Sequence, residues 1–566
     1  MGRSLTTCLA LGLALCAGGL ALCAGTAGAE EFPRRGFAGA FLVAGAAEAR
    51  GDWETTRTAL AASVAADSGN ADILHWQCVS LLNAARFDEA VVAARALLSL
   101  EPKSHLARLV LVTSSLKNGD GDEAREQIAR LDDEGLGQYL KPFLLAWIKA
   151  DEGDSRGASA ALEPLAGLPS VGPLYHLHAG LVAARANNPQ QTRIHFASVL
   201  ANSPSWRSLA LIAGYYQRTN KPARADAVRT AAKAAGLDAI LIRSLDTPSP
   251  DRNLVTLQDS AAEVLFGLAV LLQDEGAADV ALPYLRLAQA LRPDFPLAKL
   301  LAGDLLVRAG QYDEAAGTYT ALHDNAEVGA LASLRLASLD LARGERENAR
   351  LLLGDILATE PDWSQAWNVL GDVELAGSRH DMAATAYKQA LDHAPEEDEE
   401  WRAHLIMAQA QALLKSGNQP EAGEMMEQAL ALAPDSAMLL NEIGYLWAER
   451  GVRLDKAEEH IKKAKHLEPD NGAILDSLGW VKYRQGNHAE AVRLLELATE
   501  ALPYDPVVND HLGDAYWAAG RQAEARFQWE RSIRWRDTAS SGLISVEELE
   551  NKLARGIGLT QTAQSQ

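Results

Sequence analysis

Cysteine is scarce in this sequence, with four residues in 566, and three of them (Cys8, Cys16 and Cys23) lie in an apolar N-terminal stretch. If that stretch is removed, Cys78 remains alone and no intrachain disulfide can form. Basic residues are also in the minority, with 53 Lys and Arg against 75 Asp and Glu and a net charge of −22. This balance disfavours binding to nucleic acid, anionic lipid or other polyanions, because the field of the protein repels them.

The chain also lacks the short motifs of common cofactor and metal sites. It contains no H-E-x-x-H, Walker loop or G-x-G-x-x-G sequence, and its thirteen histidines are scattered. G-x-S-x-G does occur at 153–157, but a nucleophile elbow needs a strand before the serine, whereas the preceding FLLAWIKA (143–150) is the first helix of a repeat described below. We therefore expect no cofactor, no metal and no catalytic residue. A hydrolase using Ser155 is the least favoured alternative.

The N-terminus has the pattern of a secretory signal. An apolar run extends from Leu5 to about Gly25, and Ala-Gly-Ala follows at 27–29. Cleavage after Ala29 would give an exported, periplasmic protein. Two alternatives stay open: the run is retained as a membrane anchor, or Cys23 is lipidated, which would associate the protein with the outer membrane.

The rest of the chain repeats a unit of 34 residues, whose clearest copy runs from Gly472 to Asp505. Numbered from its first residue, this copy has Gly479 at place 8, Gly486 at place 15, Ala at place 20 and Pro at place 32. Two helices joined by a Gly-centred turn fit this pattern, because small residues permit close helix crossing and Pro ends the second helix. The unit resembles the tetratricopeptide repeat (TPR), whose period is the same.

Eight units follow one another in register, with starts at 262, 296, 330, 364, 403, 437, 472 and 506. Place 8 is small in every one of them, and each has the Ala of the second helix. Six more degenerate units start at 37, 71, 105, 139, 173 and 207, with turns near Gly51, Ala85, Gly119, Gly153 and Asn187. A stretch containing Pro and Ser, Asp246–Asn253, interrupts the register between the two groups.

These observations predict an all-α fold, a right-handed TPR superhelix (α-solenoid) of about fourteen helical hairpins in two arcs. The predicted segments are a signal peptide (1–29), a degenerate TPR array (30–240), a linker (241–261), a regular array of eight repeats (262–539) and a capping helix with a disordered tail (540–566). Ser545-x-x-Glu548 is a capping box that would open the last helix. Nothing of domain size remains for a catalytic domain, so we predict a protein that is not an enzyme.

The candidate site is a stripe on the first helices of the last repeats. Places 4, 7, 8 and 11 form the packed face, so places 2, 5, 9 and 12 form an adjoining stripe, which lines a concave peptide-binding groove in the TPR family. The resemblance implies that Asn at place 5 contacts a peptide backbone, because its amide both donates and accepts. The acidic residues of this stripe would favour a ligand that has Lys, Arg or a free amino terminus. The predicted residues are Asn368, Asp372, Asn441, Tyr445, Asp476, Trp480, Tyr483, Asp510, Asp514 and Trp517.

Two interpretations of the aromatic members stay open. In one, Trp480, Tyr483 and Trp517 are exposed and offer contact area to a partner. In the other, they fill the gaps between neighbouring first helices. Alanine substitution distinguishes the two, because only packing residues are expected to lower stability and binding together.

A closer resemblance covers residues 437–535, including AILDSLGWVKYRQGNHAEAVRLLELA (473–498). This part is similar to exported bacterial TPR proteins of the cell envelope, typified by the lipoprotein adaptor of a carboxyl-terminal processing protease. The resemblance implies a scaffold or adaptor for periplasmic proteolysis or cell-wall turnover, with a periplasmic protease and its substrates as partners. The alternative is a TPR scaffold for polysaccharide export or envelope complex assembly. The identity of the partner and the oligomeric state, a homo-oligomer included, stay open.

Overall fold

The computed structural model describes residues 37–557, apart from 49, 203, 248, 250–251 and 537–544. The predictions for the signal segment and for the tail beyond residue 557 lie outside the described residues. Within them the chain forms thirty α-helices and no strand, and the predicted all-α solenoid of fourteen hairpins is confirmed. None of the described helices combines the length and the apolar character that crossing a bilayer requires.

Six hairpins precede the interruption of the register. They are α1 (Phe37–Glu48) with α2 (Trp53–Ala66), α3 (Ala71–Asn83) with α4 (Phe87–Leu100), α5 (His105–Lys117) with α6 (Gly121–Ala129), α7 (Gly137–Asp151) with α8 (Ser155–Leu162), α9 (Gly172–Arg185) with α10 (Pro189–Leu200), and α11 (Trp206–Arg218) with α12 (Pro222–Ala234). A short helix, α13 (Ala239–Ser244), follows them. Two 3₁₀ turns, Glu163–Leu165 and Pro169–Val171, lie between α8 and α9.

Eight hairpins and a final helix follow. They are α14 (Leu257–Asp274) with α15 (Ala278–Leu291), α16 (Pro296–Arg308) with α17 (Tyr312–Leu322), α18 (Gly329–Ala342) with α19 (Arg346–Thr359), α20 (Ser364–Ala376) with α21 (His380–Asp392), α22 (Glu399–Ser416) with α23 (Gln419–Leu432), α24 (Ala437–Glu449) with α25 (Leu454–Leu467), α26 (Gly472–Arg484) with α27 (His488–Ala501), and α28 (Pro506–Ala518) with α29 (Gln522–Arg534). The last helix is α30 (Val546–Arg555), whose first turn is capped by the Ser545 hydroxyl, the acceptor for the Glu548 amide. The capping helix is thus present as predicted.

The turns inside the hairpins have the left-handed backbone that the repeat pattern predicts. Gly153 and Gly486 have φ of 82° and 79°, values that cost a glycine little. The degenerate repeats place other residues at the same point, Ala85 at 57° and Asn187 at 52°. Each of these adopts a conformation that L-residues avoid, because Cβ crowds the following carbonyl. The regular array has such turns as well, at Ser378 and Arg453, so strained turns are not confined to the degenerate repeats.

The second array packs into the first instead of being joined to it by an extended linker. α14 begins at Leu257, inside the predicted linker, and contacts α5 and α7, while α15 contacts α3 and α5. The Gln258 amide donates to the Leu116 carbonyl at 2.9 Å, and the Arg286 guanidinium donates to the Asn83 carbonyl at 3.1 Å. A single apolar cluster consequently extends from the second hairpin to α18. The side of the N-terminal first helices that would form a groove is occupied by the chain itself.

A buried ion pair reinforces this contact. Arg207, on α11, donates two hydrogen bonds to the Glu263 carboxylate of α14, at 2.9 and 2.6 Å. Both residues are buried, and Glu327 lies 4.0 Å from the same guanidinium. Charges removed from water in this way must be paired, so these groups hold α11 and α14 in one arrangement. The predicted site lies further along the chain, on α20 to α28.

Candidate partner-binding stripe

The ten predicted residues lie on four first helices, α20, α24, α26 and α28. α24 packs against α26 and α26 against α28, so these three first helices lie side by side, while α20 precedes α24 with the first helix α22 between them in the array. We call the surface made by the ten residues the stripe. Asp476, Trp480 and Asp514 are buried, and the other seven are half-buried. The stripe is therefore a partly packed surface and not a fully open groove.

Trp480 is a packing residue, in agreement with the second interpretation of the aromatic side chains. Its ring is stacked between Tyr483, at 4.7 Å between ring centroids, and His511 of the next first helix, at 4.1 Å. Only 8% of the residue is exposed. The expectation of an exposed aromatic lining is wrong at this position, because His511 covers the face that a partner would have used.

Trp517 also contacts the chain itself. Its indole donates a hydrogen bond to the Ile557 carbonyl at 3.0 Å, and Gly556 lies so close that a Cβ there would be 1.9 Å from the ring. Residues 556 and 557 therefore pack on the stripe, although the tail from 555 was expected to be disordered. Trp517 remains half-buried, and Arg526 lies over its ring at 5.1 Å.

Two predicted acids are neutralised by a lysine of the capping helix. Lys552 Nζ lies 2.6 Å from Asp510 Oδ1 and 2.8 Å from Asp514 Oδ1. Burial, together with the neighbouring Asp510, raises the pKa of Asp514 to about 6, although Lys552 opposes the shift. Burial also disfavours the Lys552 ammonium, but the two carboxylates outweigh it and raise its pKa. The sequence analysis expected the cation to come from a partner, whereas at this end of the stripe Lys552 of the chain itself supplies it.

The third acid, Asp476, is paired with a histidine that sequence reasoning missed. His511 Nδ1 lies 3.0 Å from both oxygens of the Asp476 carboxylate, and both residues are buried. Burial opposes the charged imidazolium, but Asp476 and the nearby Asp510 and Asp514 raise the pKa of His511. The signal was present, since His511 occupies place 6 of its unit, the place that faces the preceding first helix.

Three acids at place 9 share a contact inside their own repeat. Asp304, Asp372 and Asp514 each accept a hydrogen bond from an aromatic residue fifteen positions later, and the acceptor distances are 2.7 Å to Tyr319, 2.7 Å to Tyr387 and 2.9 Å to Trp529. The residue before each acid is glycine, and a Cβ there would lie within 2.4 to 2.5 Å of the same ring. Gly-Asp followed by Tyr or Trp is thus a local motif of this array. It was readable from the sequence and was missed.

The two asparagines at place 5 have unused hydrogen-bonding capacity. Asn368 donates to Asp372 Oδ2 at 3.4 Å, but its own Oδ1 has no hydrogen-bond partner in the part of the chain that is described. The Oδ1 of Asn441 is in the same situation, and so is the indole nitrogen of Trp480. Polar atoms away from water are normally hydrogen-bonded. Each asparagine therefore has an unsatisfied acceptor that is shielded from solvent, and a peptide backbone would reach it only after the side chain rotates.

The remaining candidates support no catalytic or metal site. Ser155 is the first residue of α8 and follows the turn after α7, so the strand that a nucleophile elbow requires is not before it. Cys78 is buried at place 8 of its repeat, and burial raises the pKa of its thiol to about 12. Among the described residues, no three His, Cys, Asp or Glu side chains are grouped closely enough to hold a metal ion.

Comparison with known proteins agrees with this geometry. A family model described as tetratricopeptide repeat-like domain matches residues 295–415, and one described as tetratricopeptide repeat matches 79–135, 407–474 and 477–541. The chain is a tetratricopeptide repeat protein. A curated relative, the TPR repeat-containing protein PA4667 of Pseudomonas aeruginosa, is 31% identical over 208 residues. That match spans 36% of this TPR protein and 34% of the relative.

Solved structures with a similar arrangement of helices are more distant. The APC/C hetero-tetramer Cut9–Hcn1 aligns over 92% of this TPR protein and 96% of the solved chain, with 14% identity and a TM-score of 0.39. Yeast Tom70 aligns over 91% and 95%, with 13% identity and a TM-score of 0.37. MamA AMB-1 aligns over 30% and 96%, with 20% identity and a TM-score of 0.24. At these values the partners of those proteins say nothing about the partners of this one.

Proposed function

We propose that this TPR protein is a non-catalytic scaffold or adaptor that binds a segment of a protein partner on the stripe. The observation that supports this most directly is the pair of half-buried asparagines, Asn368 on α20 and Asn441 on α24, whose Oδ1 atoms are unpaired. An extended peptide would supply backbone N–H groups to these acceptors once rotation of the two side chains exposes them. In the N-terminal array, α3, α5 and α7 offer no equivalent surface, because α14 and α15 lie against them.

The setting in which this binding takes place is also a proposal. We infer export to the periplasm from the signal-like N-terminus and, from the resemblance over residues 437–535, a role beside a periplasmic protease or in cell-wall turnover. Retention through a lipid on Cys23, or through an uncleaved anchor, would hold the solenoid at a membrane. The excess of acidic residues favours partner segments that carry positive charge.

Affinity capture with matched variants tests this function. Full-length protein, Asn368→Ala and Asn441→Ala are each used to recover partners from an envelope extract, and Asn348→Ala is the control because Asn348 is exposed on a second helix, α19. We expect both stripe variants to lose a partner that the wild type and the control retain, with unchanged thermal unfolding. Recovery of a processing protease supports the adaptor, and export-machinery subunits support the alternative. Identical partners for all variants would refute binding on the stripe.

A further inference from the structure

In two of the three Gly-Asp repeats, the acid pairs with a basic residue on the helix two elements later in the chain. Asp304 of α16 lies 3.3 Å from Arg335 Nε of α18, and Asp514 of α28 lies 2.8 Å from Lys552 Nζ of α30. In both cases the acid is the one that also accepts from the aromatic residue of its own second helix. The carboxylate is therefore held in the same orientation, and the next helix along the solenoid supplies the cation.

The third repeat has the same acid without the cation. Asp372 of α20 accepts from Tyr387 at 2.7 Å, as its two equivalents do from their aromatic residues. The residue of α22 at the place of Arg335 is Ala408, which has no charge to offer. No basic side chain lies within ion-pair distance of Asp372 in the described part of the chain, and its second oxygen receives only the long contact from Asn368.

The pKa of Asp372 is consistent with the missing cation. Burial raises the pKa of the carboxyl, and the Tyr387 hydrogen bond opposes that shift only in part. A half-buried carboxylate has lost solvation and gains from an incoming ammonium or guanidinium. Asp372 and Ala408 are each only half-buried, so this place keeps contact with solvent.

We propose that Asp372, together with Asn368, is a subsite for a lysine or arginine side chain of the bound partner segment. The inference rests on the proposed function, since the segment must lie on the stripe for the side chain to reach α20. The carboxylate would pair with the cation, and Asn368, whose amide donates to Asp372 Oδ2, would orient the carboxylate. The site does not fit a metal ion, because Asp372 has no two further His, Cys, Asp or Glu side chains grouped with it among the described residues.

Selection of peptides on the full-length protein tests the subsite. A phage-displayed library of short random peptides is selected on the wild type, and recovered peptides are synthesised and measured by calorimetry on Asp372→Asn. We expect one Lys or Arg at a fixed position and an affinity loss of about tenfold or more on Asp372→Asn, as for loss of a hydrogen bond to a charged group. Asp304→Asn is the matched control and should bind as the wild type does, because Asp304 already has its cation.

Thermal unfolding distinguishes a binding role from a structural one. Asp372→Asn keeps an acceptor for Tyr387 and removes an unpaired charge, so its Tm should not fall, whereas Asp304→Asn loses an ion pair and should melt lower. In Ala408→Arg, a guanidinium of the protein itself should pair with Asp372. This variant should therefore bind the peptide more weakly than Ala408→Gln does.

The outcomes separate the two proposals. Peptides that bind without a basic residue, or equally well to Asp372→Asn, overturn the subsite and leave binding on the stripe intact. Selection of no peptide at all counts against both.

Discussion

Replacement of Lys552 by methionine is expected to release the capping helix from the stripe. Methionine keeps the apolar stem of the side chain and removes the ammonium that lies 2.6 Å from Asp510 and 2.8 Å from Asp514. The three side chains are 22%, 20% and 9% exposed. Breaking a fully buried pair costs about 3–5 kcal/mol, and an exposed pair is worth about 0–1 kcal/mol. The partial exposure here places the expected cost at about 1–3 kcal/mol of local stability.

The loss should depend on pH in a defined direction. In the wild type, burial holds the pKa of Asp514 at about 6, and loss of the lysine would raise it further. At a pH above the pKa of Asp514 in both proteins, the variant has an unpaired buried carboxylate, and its loss of stability is largest. Below pH 6 Asp514 is protonated in both proteins, so the difference shrinks. The variant is therefore expected to differ more from the wild type at pH 8 than at pH 5.

Hydrogen exchange followed by mass spectrometry is the suitable assay, because long repeat arrays need not unfold in one step. Exchange of residues 545–557 reports the opening of α30 itself. Arg555→Met is the matched control, since Arg555 is exposed on the same helix. Equal protection of the two variants at pH 8 would refute the view that Lys552 fixes the capping helix.

Two further predictions concern the packing of the regular array. Gly371→Ala should destabilise the protein by about 1–3 kcal/mol, because the new Cβ would lie 2.4 Å from the buried Tyr387 ring. Gly354 is exposed in the middle of α19 with open space around it, so Gly354→Ala should stabilise the protein by about 0.5–1 kcal/mol. Urea unfolding of the two variants checks both signs. The pair of His511 and Asp476 should contribute stability that is fully present below about pH 6.5 and is lost as the pH rises through the elevated pKa of His511. Tm measured from pH 6 to 9 should show this loss in the wild type and not in His511→Gln; parallel curves would contradict it.

The fold was largely predictable from the sequence because the repeat is local. Gly153 and Gly486 mark turns, and small residues at place 8 mark helix crossings, so nearest-neighbour patterns suffice to define a hairpin. The packing of α14 and α15 against the N-terminal array was not predicted. Contacts such as Gln258 with Leu116 depend on how much each repeat rotates relative to the previous one, and no residue pattern within one unit specifies that rotation.

The candidate site was predictable in position and less so in exposure. Place 5 and place 9 do lie on the first helices, but a place-9 side chain contacts the next repeat as well as its own. Trp480 is covered because that repeat has His511 at place 6, and Asp372 is left unpaired because its next repeat has Ala408. The decisive information is a comparison between consecutive units, not the composition of one.

The self-contact of the N-terminal array has a consequence for the order in which the chain folds. Trp53 donates to Glu314 at 2.5 Å across 261 positions of sequence, and Gln258 reaches Leu116 across 142. Repeat arrays normally complete each unit against its neighbour as it forms. Here the first hairpins leave the ribosome long before the helices that cover their inner side. Until α14 and α15 are complete, the early half therefore presents apolar surface that the folded protein buries.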